Sequence, residues 1–406
     1  MTLRALALWG AFALAHVLVA TLGWVLPTQP MGDVVLVYQP WSQSALSGGA
    51  VMGITEPWVY PHLALVPMLL TQLLAFPFTA LLGAQGAYLV AWALLITICD
   101  LLGFAVLVGR EGRGRRATAG WFWTAALVLL GPIAMYRIDA VTVPLAVAGG
   151  MWLARRPAVA ATLLTVGAWI KIWPGALLVA AVVAMRSRLR MLAAAGAVTV
   201  AVVGTVVLLG ADRELFGFLS QQTDRGLQIE AVAATPFLWL SVSGAASIEY
   251  SFEILTFQIG AAGADAVAAA LTLMMAVLVA AIVAAGVLRV RRGAPWPRLL
   301  PPLALAIVTA LIVTNKVGSP QFHTWLIAPV VLWLIHDRTR AAGAVALVLV
   351  LCALTFAVYP LSYDALLRAE LLPVLLITVR NLLLVVLLVQ AVRGVLRTPI
   401  PARHSS

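Results

Sequence analysis

Long uninterrupted apolar runs, not alternating apolar and polar positions, dominate this chain. Spanning about 30 Å of hydrocarbon takes about 20 helical residues. The clearest runs are Arg4–Leu26, Ala87–Gly109, Thr118–Ala134, Met191–Leu209, Ala262–Leu288, Leu299–Val313, Ala341–Tyr359 and Pro373–Val392. Shorter apolar pieces lie between them, broken by Arg-Arg, Lys or Pro. Residues 157–170 and 174–185 are too short for full spans and read as a shallow hairpin, tolerable where protein buries it. The pattern predicts an all-α polytopic membrane protein.

Composition strengthens that reading. Of 406 residues, 63% are hydrophobic and 10% charged, against about 45–50% and about 25% in soluble domains. Such a chain cannot cover itself with polar surface, which excludes a cytosolic enzyme, a secreted disulfide scaffold and a disordered protein. Cys99 and Cys352 both lie in apolar runs and build no metal site.

Charge sets the orientation, because Lys and Arg mark cytoplasmic loops. Arg4 and the clusters at 110–116, 155–156, 186–190, 289–298, 338–340 and 393–403 hold 19 of the 26 basic residues, opposed only by Glu111 and Asp337. Placing them on one side gives twelve helices with both termini cytoplasmic. Outer segments then run over residues 27–84 and 210–260, with outer turns at 136–139, 170–174, 315–323 and 360–372. Residues 62–83 are apolar enough to span, but counting them would put Arg110–Arg116 outside. They are read as an interfacial or re-entrant helix broken at Pro77. The first run ends in Leu26-Pro27 without a small-residue cleavage pattern, so it is read as a retained span. Residues 1–395 form one transmembrane domain, and 396–406 a short disordered tail.

The outer face carries the chemistry. Asp33 follows the first helix and precedes an aromatic stretch. A carboxylate partly desolvated at the bilayer edge suits a base, while an Asp opening a helix also serves as an N-cap. Glu56-Pro57-Trp58-Val59-Tyr60-Pro61 follows in the same segment. The second segment holds Gln221-Gln222-Thr223-Asp224-Arg225-Gly226-Leu227-Gln228-Ile229-Glu230, in which a helical spacing puts Arg225 and Gln228 on one face. Asp212, Arg213 and Glu214 read as solvated loop. Arginine outnumbers lysine 24 to 2, and Lys171 and Lys316 both fall at outer turns. An ammonium suits a phosphate, though Lys171 also fits snorkelling to the headgroups. Arg380 sits too deep in the last run for that and meets the same anion or a carboxylate. His323 is the histidine expected to act. His16, His62 and His336 read as structural or interfacial, His404 as tail, and Asp100 as hydrogen-bonded structure. No nucleotide-binding loop is present.

In order along the chain, Asp33, Trp58-Val59-Tyr60-Pro61, Arg137-Ile138-Asp139 and Lys171-Ile172-Trp173-Pro174 resemble the GT-C membrane glycosyltransferases. Arg225-Gly226-Leu227-Gln228-Ile229-Glu230 and Ser319-Pro320-Gln321-Phe322-His323-Thr324-Trp325 are similar to glycosyltransferase family 87. That family includes bacterial polyprenyl-phosphate-mannose-dependent α-mannosyltransferases of phosphatidylinositol mannoside and lipomannan synthesis. The resemblance covers about residues 1–390. It implies a helical bundle in the bacterial inner membrane, with amphipathic helices in the first outer loop. It implies inverting mannosyl transfer from a polyprenyl-phosphate donor to a glycolipid or lipoglycan acceptor at the outer face, with no divalent metal or other cofactor required. Carried over residue by residue, Asp33 is the base. Lys171, Arg225, Lys316, His323 and Arg380 are donor-phosphate candidates. Glu56, Tyr60, Arg137, Asp139, Gln228, Glu230, Gln321 and Trp325 are sugar or acceptor candidates, with Trp41 and Trp58 as further stacking surfaces. Relatives with two adjacent acids differ from Gly32-Asp33 here, which leaves Asp33 as the one strong candidate. An arabinofuranosyltransferase using a decaprenyl-phosphate donor, a lipid or sugar transporter, and a non-enzymatic scaffold are the alternatives. A transporter predicts polar groups at the midplane, whereas here they gather at one face.

Overall fold

The computed structural model describes residues 2–26, 29–109, 112–211, 213–218, 225–251 and 256–400. Arg110, Glu111, Asp212, the Gln221–Asp224 motif, Arg403 and His404 lie outside them.

The apolar runs fold as helices. The N-terminal half carries α1 (Leu3–Val25), α2 (Gln39–Leu46), α3 (Leu65–Ala75), α4 (Thr79–Val108), α5 (Gly114–Leu130), α6 (Asp139–Trp152), α7 (Pro157–Ile170), α8 (Pro174–Ala184) and α9 (Arg188–Leu208). After α10 (Thr235–Val242) come strands β1 (Ser247–Ser251) and β2 (Thr256–Gly260). Helices α11 (Ala264–Arg291), α12 (Trp296–Val313), α13 (Ile327–His336), α14 (Arg338–Phe356), α15 (Tyr363–Leu367) and α16 (Leu371–Leu396) complete the chain. The protein is thus an all-α membrane protein apart from one hairpin. Among the described residues, eight helices are long and apolar enough to cross a membrane, fewer than the twelve crossings expected. Helices α6, α7, α8 and α13, with 10 to 14 residues each, fall short of that length.

Burial sorts these helices. In α12, 72% of the most apolar window is buried, against 17% in both α9 and α11. A helix apolar all round but exposed all round satisfies its surface only in lipid. Helices α9 and α11 therefore form the rim, while α12, α13 and α6 form the centre, where nearly every residue of α13 is buried. The short helices α7 and α8 match the expected hairpin: α7 packs on α6 and α9, and α8 on α12. A buried pair, His16 Nε2 to Asp100 Oδ2 at 3.1 Å, ties α1 to α4, the structural role expected of both.

Two details depart from expectation. In residues 62–83 the α-helix is interrupted at Pro77 as expected, in a tight 3₁₀ turn, Phe76–Phe78. The departure is a further break at Gly83, whose φ of 69° only glycine adopts without strain. Helix α3, 11 residues long, packs along α4; at 1.5 Å per residue it reaches about 16 Å, well short of a span. The second departure is the antiparallel hairpin, β1 with β2, pairing Ser247 with Gly260 through Ser251 with Thr256. Its short strands carry charged and polar residues between apolar ones, a pattern that hydropathy over long windows averages away.

Candidate active site

Three turns converge at the end of the bundle opposite the arginine clusters. The first is the turn that opens on Asp33. Asp33 has helical backbone angles and makes no capping hydrogen bond, so the N-cap reading falls. Its Oδ2 instead meets Arg137 Nε at 3.3 Å, and its side chain is 38% exposed. The buried Arg137 is held from every side. It donates to Pro30 O at 2.7 Å, Tyr136 O at 2.9 Å and the Tyr359 hydroxyl at 3.2 Å. The Tyr38 hydroxyl, one helical turn beyond Asp33, accepts the Ile138 N–H at 3.1 Å. Thus the turn before α6 fixes the position and the direction of Asp33.

The same short turn serves the second group. Asp139, at the start of α6, is fully buried and accepts from Trp325 Nε1 at 2.6 Å. Its other oxygen lies 4.0 Å from Lys171 Nζ, which in turn sits 4.5 Å from the Tyr60 ring centroid. Burial lowers the affinity of Lys171 for its proton, nearby Arg225 adds to that, and Asp139 opposes it. The carboxylate and the ring face both favour the charged form of a lysine so placed, and a further anion would favour it more.

The third group joins residues 225–231 to the turn after α12. Here the expected helical face is absent: residues 225–227 form no helix, Gln228 bridges to Gln258 and opens a turn to Ala231, and the Gln228 N–H donates to Lys316 O at 3.0 Å. The Gln228 side chain donates to Thr256 of the hairpin. Glu230 is buried and spent on Arg380, with Nη1 to Oε2 at 2.6 Å and Nη2 to the Glu230 carbonyl at 2.9 Å. Of the two fates expected of Arg380, the anion or a carboxylate, the fold gives it a carboxylate, Glu230. Arg225 Nε is buried with no partner among the described residues.

Two adjoining cavities result. One, of about 470 Å³, is polar and aromatic, lined by Asp33, Arg137, Glu230 and Gln228 with Trp41, Trp58, Tyr60 and Tyr359. The Trp41, Trp58 and Tyr60 rings pack edge to face with centroids 5.7 to 6.1 Å apart. Trp58 Nε1 is buried without a partner among the described residues, a donor placed for a hydroxyl. The other cavity, of about 270 Å³, gathers Lys171, Lys316 and Arg225 beneath Trp325, and Thr272 and Met275 of the rim helix α11 form its outer wall. Tyr60, Arg225, Ser319 and Gln321 line both.

Four candidates leave the site. Glu56 is exposed and lines neither cavity, because its backbone closes a turn on Gly53 that turns the side chain outward. Asp139 stands behind Lys171 and positions it. Arg380 lines neither cavity, its charge held by Glu230. His323, buried with Nδ1 on Pro320 O at 3.1 Å, is pushed down to about 3 by burial and by Arg380, so it is a neutral imidazole and no phosphate cation. Tyr359 and Tyr363 line the polar cavity unforeseen, although the aromatic criterion that picked Tyr60 also fits the turn they flank. Comparison with known protein families returns no match, and no curated protein is significantly similar to this chain.

Proposed function

We propose that this chain is a GT-C-type glycosyltransferase of twelve crossings. It moves a mannosyl unit from a polyprenyl-phosphate donor to a glycolipid or lipoglycan hydroxyl at the outer face of the membrane. The observation that carries the reading is the pair of joined cavities. A half-exposed carboxylate faces the aromatic chamber, and three cations gather in a chamber whose wall is a lipid-facing helix. The isoprenoid chain lies along α11 near Thr272 and Met275, its phosphate among Lys171, Lys316 and Arg225, and its sugar beside Tyr60 and Gln321. The acceptor enters past Trp41 and Trp58.

In the transfer, the acceptor oxygen forms a bond to sugar C1 as the bond from C1 to the phosphate oxygen breaks. The acceptor proton passes to Asp33, and the electron pair leaves with the phosphate. The three cations stabilise the charge that develops there. The short helices support twelve crossings, because α6 and α13 are almost wholly buried among longer neighbours and α7 and α8 are about half buried.

The test uses the full chain in vesicles with labelled polyprenyl-phosphate mannose and a glycolipid acceptor. Transfer is expected with wild type, and Asp33→Asn should lower turnover by about 10²–10⁴-fold while donor binding persists. Equal turnover in a folded Asp33→Asn protein removes Asp33 as the base. Absence of transfer from any polyprenyl-phosphate sugar removes the function.

A further inference from the structure

A third cavity lies at the other end of the molecule. Its volume is about 660 Å³, and it opens between α13, α14 and the last turns of α16. Arg393 stands 13 residues beyond Arg380 on the same helix, which at 1.5 Å per residue puts it about 20 Å from the Arg380–Glu230 pair.

The walls of this cavity divide by chemistry. Along α16, Val385, Val389, Arg393 and Arg397 follow at intervals of four and therefore share one stripe of the helix. The valines are exposed apolar side chains, 37% and 42% accessible, and they face the same side as other lipid-exposed residues of that helix. The arginines end the stripe. From α14, Arg340 joins them: its Nη2 donates to Gly394 O at 2.9 Å, while its Nη1 is buried without a partner among the described residues. From α13, Trp333 is 2% exposed, and its Nε1 also has no partner among the described residues. Beside these two orphaned donors sits one orphaned acceptor, Gln390 Oε1. No acidic residue lines the cavity among the described residues.

Buried polar atoms without partners are costly. A group that satisfies all three must accept hydrogen bonds, donate at least one and carry negative charge. It must also continue into an apolar chain that fits the valine stripe. We infer that this cavity binds one anionic glycerophospholipid with a hydroxyl-bearing headgroup, its phosphodiester held by Arg340, Arg393 and Arg397 and its acyl chain laid along Val389 and Val385. Trp333 Nε1 and Arg340 Nη1 donate to the phosphate, and a headgroup hydroxyl donates to Gln390. The site is separate from the proposed transfer chemistry and does not depend on it. Basic pockets between helices at a membrane face suit such headgroups.

The experiment is mass spectrometry of the intact, detergent-purified chain titrated with phosphatidylglycerol or phosphatidylcholine of the same acyl composition. One phosphatidylglycerol should bind in preference to phosphatidylcholine. Arg393→Gln/Arg397→Gln, at two exposed positions, should weaken that binding about thirtyfold. Val389→Trp should block the acyl groove and weaken phosphatidylglycerol binding without touching a charge. Inorganic phosphate in excess should not displace the lipid. Equal binding of the two lipids, or undiminished binding in the arginine double variant, overturns the proposal. Displacement by free phosphate, or an unaffected Val389→Trp, shows a soluble-anion site and overturns it equally.

Discussion

Arg380 and Glu230 form a buried pair 150 positions apart in the chain, and each changes what the other can do. Breaking a buried pair from one side leaves an uncompensated charge and costs about 3–5 kcal/mol. Arg380→Met should therefore unfold the protein more easily by that amount in a thermal or denaturant melt, and Arg380→Met/Glu230→Met should recover most of it. A stable Arg380→Met protein with lost donor affinity would return Arg380 to the anion site. His323 gives a pH signature. Its folded value, about 3, lies below the unfolded value near 6.5, so below 6.5 the unfolded chain binds a proton that the folded one refuses. The stability that His323 leaves intact above pH 6.5 is lost as pH falls toward 3, by about 1.4 kcal/mol per unit. Melting temperature should drop between pH 7 and pH 5 in wild type and drop less in His323→Gln. An equal drop in both proteins refutes the neutral assignment.

At the level of elements, the site depends on one close approach. The turn after α12 presses against residues 230–231 so tightly that a Cβ on Gly318 would overlap the Glu230 and Ala231 backbone. That backbone cannot yield without moving Glu230 off Arg380 or Gln228 off Lys316. Gly318→Ala should therefore reduce transfer at least as much as loss of any one cation. It should also lower the melting temperature, since overpacking costs about 1–3 kcal/mol. Unchanged turnover and melting would show that the two segments are free to separate. The turn Tyr136–Asp139 acts in a similar way. Its motif was readable as Arg-Ile-Asp, but the sequence assigns neither side chain a partner. Folding sends Arg137 to Asp33 and Asp139 to Lys171 and Trp325, so one turn aligns both cavities.

At the scale of the whole molecule, the charge asymmetry predicts which end faces which compartment. In a background lacking Cys99 and Cys352, Ser247→Cys on the hairpin should react with an impermeant thiol reagent in intact cells. Ser187→Cys, between α8 and α9, should react only after permeabilisation. The reverse pattern would place the joined cavities on the cytoplasmic side and remove a donor presented at the outer face. Both positions lie outside the long helices, so their labelling reports side rather than burial.

Hydropathy by itself determined the helical class, the long helices within a few residues of their ends except α4, which starts eight residues earlier than its apolar run, and the short pair α7 and α8. These follow from local rules: a long apolar run in lipid must satisfy its own backbone, and only a helix does so within one segment. Sequence also marked Asp33, Tyr60, Lys171, Arg225 and Lys316 as residues worth placing, because scarce polar groups beside apolar runs are costly to keep. Only the tertiary structure decided which of them meet. Whether an arginine is a free cation or half of a buried pair depends on what packs against it from 100 or more positions away. It took the fold to give Arg380 to Glu230, to turn Glu56 out and to bury His323 neutral. The hairpin escaped for a related reason: its pairing is a contact between strands, and its period-two pattern is weak where neither face meets a deep core.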